Sequence, residues 1–112
     1  MEIKGPLIIS VQTDDTSMKR ELHISFKPAF IQQSVSERVR ELQSYMAQIT
    51  KGILPLDDGD PNRAGMEAIY QVCANLIEFI RSDEIDLTET IIIEIEPTIN
   101  LANFIMDRSL IN

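Results

Sequence analysis

Carboxylates dominate the groups in this sequence that could do chemistry, and they crowd toward its second half. The densest constellation is Glu94 and Glu96, with Glu89, Asp86, Glu84 and Asp83 upstream. Glu94 and Glu96 stand two positions apart, so a strand would project both from one face, beside Ile92. An acidic ridge of that kind can receive a basic patch on a protein partner, because complementary charge speeds encounter and fixes register. Charge at such positions also suits a solvated strand face that guards a sheet edge against unwanted pairing. The functional expectation is that Glu89, Ile92, Glu94 and Glu96 bind a partner.

Other candidates for chemistry are weaker. Asp57-Asp58-Gly59-Asp60 with Asn62 has the composition of a calcium loop, but aligning that pattern from Asp58 puts Arg63 where glycine is required and Ile69 where the bidentate glutamate belongs. A turn followed by a helix cap explains the stretch without metal. His23 is the only histidine. Alternation puts it on one strand face with Glu21 and Ser25, a trio that could trade protons. No serine elbow, reactive-cysteine signature or second histidine accompanies it, so a solvated surface histidine is expected. Cys73 would need exposure beside a base to act as a nucleophile, yet it lies on an apolar stripe with Met66 and Ile80. Gly52, Gly59 and Gly65 are too far apart to cradle a phosphate. The sequence therefore assigns no catalytic, cofactor or metal residue.

A helical hairpin must position whatever the carboxylates do. Val35, Val39, Leu42, Met46 and Ile49 recur at steps of four and three, which keeps them on one stripe of a helix. Ser34 and Glu37 have capping-box spacing at its start, while Gly52 and Pro55 signal its end. The second helix carries Met66, Ile69, Cys73, Leu76, Ile77 and Ile80, opens at Asp60-Pro61 and stops near Ser82. Tyr45 and Tyr70 fall off these stripes and could anchor an interface.

Strands frame the hairpin. Leu7, Ile9 and Val11 share one face of residues 7–12, and Leu22, Ile24 and Phe26 share one face of residues 21–27. Ala29-Phe30-Ile31 is compatible with a short entry turn or an earlier helix start. Residues 90–96, rich in isoleucine, alternate Ile91, Ile93 and Ile95 against Ile92, Glu94 and Glu96. Residues 98–110 fit a short helix capped by Thr98 or a further strand. The expectation is one α+β domain over residues 1–112, with an N-terminal β-hairpin, an antiparallel helical hairpin and a third antiparallel strand. The helices would cover one face of the sheet. Strand order 1-2-3 is favoured over a third strand parallel to the first.

Charge narrows the partners. The chain has 112 residues and a net charge of −8, of which residues 57–112 alone, with twelve acids and three bases, contribute −9. Nucleic acid binding relies on Lys and Arg, so phosphate backbones are unfavourable partners for this half. A basic protein surface is a better match. No apolar run approaches the length that spans a bilayer, no basic-then-apolar leader is evident, and the lone cysteine requires no oxidising compartment. A soluble cytoplasmic protein is expected.

Helices of roughly 18 and 22 residues would extend about 27 and 33 Å, against about 23 Å for a seven-residue strand. Overhanging Ile53, Leu54, Leu56 and Met66 would need cover, and a second subunit commonly gives it. The sequence thus points to a homodimeric, non-enzymatic interaction protein: an adaptor, inhibitor or regulator. A nucleic-acid mimic blocking a DNA- or RNA-binding protein is the alternative, and a small carboxylate-dependent enzyme is the second.

Overall fold

Alternating apolar residues build a three-stranded antiparallel sheet with strand order 1-2-3. The computed structural model describes residues 5–13, 16, 19–82 and 85–95. β1 (Leu7–Thr13) pairs with β2 (Arg20–Phe26), setting Leu7 opposite Phe26, Ile9 opposite Ile24 and Val11 opposite Leu22. β3 (Ile91–Ile95) pairs with the other side of β2, with Ile93 opposite Leu22 and Ile91 opposite Ile24. One sheet face is therefore a continuous apolar floor. Residues 98–110 and Glu96 lie outside the described residues.

Between β2 and β3 the chain forms three helices, α1 (Pro28–Ile31), α2 (Val35–Ile53) and α3 (Pro61–Arg81). α1 resolves the two options for Ala29-Phe30-Ile31, since it is a separate turn broken from α2 at Gln32 and Gln33. Phe30 is buried there and stacks on Phe26 at 5.6 Å between ring centroids. Arg38 of α2 donates to the carbonyls of Phe30 and Ile31, which answers acceptors that a helix end leaves open.

α2 starts where its capping box requires. The Glu37 amide donates to Ser34 Oγ at 3.3 Å, and the Ser34 amide donates to the Glu37 carboxylate at 3.4 Å. The Ser34 hydroxyl also donates to that carboxylate, and these bonds hold its pKa below the ordinary value. Because the folded value is depressed, the stabilisation is present at neutral pH and is lost as pH falls through it. Ser34→Ala is expected to cost about 0.5–2 kcal/mol. It should also raise the Glu37 titration midpoint toward that of an ordinary glutamate, which carboxyl-detected NMR would measure.

The end of α2 differs from the sequence expectation. Gly52 is not a left-handed cap: the helix continues through Ile53, and Leu54 follows with φ −52°. Pro55 then supplies the stop, because it lacks the amide that another turn would need. The buried face is also displaced. Leu42, Tyr45, Ile49 and Gly52 are buried, whereas Val39 and Met46 are half-buried and Val35 is exposed. Tyr45 is thus core, at 2% exposure, and not an interface anchor.

α3 follows its sequence closely. Asp60 Oδ1 accepts the Asn62 amide at 2.9 Å, Pro61 occupies the first turn, and Met66, Ile69, Cys73, Leu76, Ile77 and Ile80 are all buried. Each such aliphatic side chain contributes about 1.5–3 kcal/mol by leaving water. Arg63 folds the preceding loop back, donating to the Leu56 carbonyl at 2.8 Å and to Glu67 at 2.9 Å. The overhang expected from helix length is consequently mostly covered within the chain. Met66 is buried, Ile53 and Leu56 pack partly against the core, and only Leu54 stays largely exposed.

Candidate functional site

Ile92 and Glu94 lie where the strand alternation puts them, exposed on the sheet face opposite the apolar floor. Register sets Ile92 across from His23 and Glu94 across from Glu21. Two carboxylates directly opposite one another repel. Lys19 approaches Glu94 at 4.0 Å, an exposed pair that moderates the local charge only weakly. Glu89 is exposed in the turn that delivers β3, with its amide donating to the Asp86 carbonyl at 3.3 Å. That turn is fastened by Asp86, whose carboxylate accepts the Thr88 hydroxyl at 2.6 Å and the Thr88 amide at 2.9 Å and is thereby held below its ordinary pKa. Glu89, Ile92 and Glu94 therefore gather on and beside β3.

Beneath the same strand lies a feature absent from the sequence reading. Ile91 and Ile93, on the inner face of β3, form one wall of an apolar groove of about 390 Å³. Val72, Leu76 and Phe79 of α3 form the other wall, with Ile85 also contributing to the lining. Phe79 is 49% exposed, an unusual outlay of aromatic surface beside a core. Among the described residues Asn75 is the only polar one of the lining. Specific small-molecule pockets ordinarily add several convergent polar groups to an apolar surface, and the described lining offers one amide. Val72, Leu76 and Phe79 are spaced by four and three, so a second apolar stripe was already present in the sequence beside the main one.

No family model, curated protein or solved structure matches the chain.

His23 corrects the expectation of a solvated surface residue. Its side chain is 17% exposed, and Nε2 lies 3.6 Å from Glu21 Oε1, beyond hydrogen-bonding distance. That nitrogen is enclosed and has no hydrogen-bond partner among the described residues. An enclosed nitrogen is poorly placed to exchange protons with a substrate. Asp58 and Asp60 are engaged structurally: Asp58 meets Arg63 at 3.4 Å, and Asp60 caps α3.

Cys73 is buried, and desolvation pushes its thiol pKa up to about 12. Since thiolate is the reactive form, the folded protein should be inert to a disulfide reagent at neutral pH. Full labelling is expected only in denaturant. Rapid stoichiometric labelling without denaturant would contradict the burial.

A second, more open concavity of about 710 Å³ includes Ser34, Ser36, Arg40 and Arg81 in its lining. The adjoining α2 N-terminus already has the Glu37 carboxylate in its capping box, and Arg81 lies 3.7 Å from Glu78. The electrostatic demand for an outside anion is correspondingly reduced.

Proposed function

We propose that this chain is a non-enzymatic protein-interaction module, an adaptor, inhibitor or regulator, that engages its partner at the acidic β3 side. The observation carrying this reading is the proximity of the apolar α3/β3 groove to exposed Glu94, on the strand that walls it, and to Glu89, in the turn just before that strand. Apolar surface supplies affinity in such an arrangement, and the charges select a basic partner and orient it. A carboxylate-dependent enzyme receives less support, since among the described residues no Asp or Glu lines the groove. Mimicry of nucleic acid is also less favoured, because a phosphodiester backbone has no counterpart to Phe79 and its apolar neighbours. Retention of partner contact in the presence of excess DNA would separate protein recognition from mimicry.

Homodimerisation loses most of the support drawn from the overhang, since Met66 is buried, Ile53 and Leu56 pack partly against the core, and Leu54 alone of the four stays largely exposed. A dimer mass by light scattering at micromolar concentration would restore it. No described helix is long and apolar enough to cross a membrane. A cytoplasmic location accords with the lone cysteine.

The decisive test reverses Glu89 and Glu94 to Lys together. Both side chains are exposed, so the circular dichroism spectrum and unfolding midpoint should change little. Capture of the partner from the native source at low salt should fall at least about tenfold. Capture equal to that of the unmodified protein would overturn the reading.

A further inference from the structure

The groove wall and the sheet edge are the same strand. β3 bonds β2 along one side, and among the described residues its other side has no strand partner. An extended segment laid there would continue the sheet, with main-chain hydrogen bonds providing affinity and alternate side chains providing selectivity. The inner side chains of Ile91, Ile93 and Ile95 are half-buried, so cover remains to be gained on that face.

Strand alternation dictates what the guest must carry. Side chains pointing inward would enter the groove toward Phe79 and must be apolar. Side chains pointing outward would lie beside Ile92 and Glu94, on the face where Glu94 opposes Glu21. A cation at an outward position beside Glu94 meets that carboxylate directly, with Glu21 one strand further away and Lys19 only an exposed 4.0 Å partner, whereas an anion there adds to the negative charge. We infer that the β3 edge takes an extended protein segment in which apolar residues alternate with Lys or Arg, bound by strand addition.

Charge selects this occupant over a second copy of the chain. Antiparallel self-pairing centred on Ile93 would set each Ile92 opposite the other copy's Glu94. It would bring the two Glu94 residues to diagonal positions about 7–8 Å apart, with no cation added. A basic guest turns that repulsion into attraction.

The inference rests on the proposed interaction function and can fail separately from it. The probe is a synthetic peptide of about nine residues alternating Val with Lys, long enough to span a five-residue strand. Its comparison is a peptide of identical composition with Val at helical spacing. Binding to the full chain is followed by fluorescence anisotropy, and amide hydrogen exchange is followed at Ile91–Ile95. The alternating peptide should bind at least about tenfold more tightly and protect those β3 amides that do not bond β2, with Glu94→Lys removing most of the difference.

Equal binding of the two peptides would reduce the effect to surface charge and overturn strand addition. So would outward β3 amides already protected in the free protein, whether by its own chain in a monomer or by a second copy in a dimer. If strand addition fails while the Glu89 and Glu94 reversal still abolishes partner capture, the interaction function survives without this binding mode. If capture also survives the reversal, both readings fall.

Discussion

Ile49→Ala is expected to destabilise the protein by about 2–5 kcal/mol, seen as a lower urea midpoint with an unchanged slope. Ile49 is 0% exposed and belongs to the cluster that contains Leu42 and Tyr45 of α2, Ile69 and Cys73 of α3, and the inner face of β1 and β2. Truncation loses the transfer energy of the removed carbons and leaves a cavity that elements on several sides cannot all collapse into. Small domains commonly have only about 5–15 kcal/mol in total, so this substitution should leave a detectably unfolded population on mild heating. Val35→Ala gives the contrast. Val35 begins the same helix and fits the same sequence periodicity, yet it is 39% exposed, and its loss should stay within about 0.5 kcal/mol. Similar losses at the two positions would mean that the buried face of α2 has been misassigned.

That contrast marks what was legible in the sequence. The Ser34–Glu37 box, the Asp60-Pro61 start and the α3 stripe were readable because each depends on residues within a few positions of one another. The strand faces were readable too, since a period of two leaves no other face for Leu22, Ile24 and Phe26. The rotation of α2 was not. Steps of three and four fit Val35, Val39, Leu42, Met46 and Ile49, but they fit Leu42, Tyr45, Ile49 and Gly52 equally well, and packing decided between them.

Tertiary folding likewise explains the missed overhang and the missed groove. Helix length suggested uncovered apolar residues, but it could not reveal the hydrogen bond by which Arg63 draws the Leu56 backbone toward α3. Of the candidate site, Glu89, Ile92 and Glu94 were identifiable from charge and alternation, while Glu96 lies outside the described residues. The groove required knowing that Val72, Leu76 and Phe79 face β3. Sequence spacing revealed a second stripe on α3 without naming the strand opposite it.

Gly5→Ala should cost about 1–3 kcal/mol, for a reason found only in tertiary contact. A Cβ built on Gly5 would fall nearest Tyr45 Cδ1, with Cε1 at 2.5 Å and Cγ at 2.6 Å. All three are atoms of one rigid ring, so no flexible tip can bend away. The ring itself is buried at 2% exposure, which also limits its escape. Backbone movement at Gly5 is restrained next door, where the Lys27 amide donates to the Pro6 carbonyl at 3.0 Å and ties the entry of β1 to the end of β2.

A double-mutant cycle isolates the cause. Tyr45→Ala alone should cost about 3–5 kcal/mol through the cavity it leaves. On that background the alanine at position 5 meets no ring, and its penalty should nearly vanish, giving a coupling of about 0.5–3 kcal/mol. An undiminished Gly5→Ala penalty without the tyrosine ring would assign the effect to the backbone of residue 5. A vanished one would make Tyr45 the residue that sets how closely the start of β1 can approach α2, and so where the sheet lies beneath the helices.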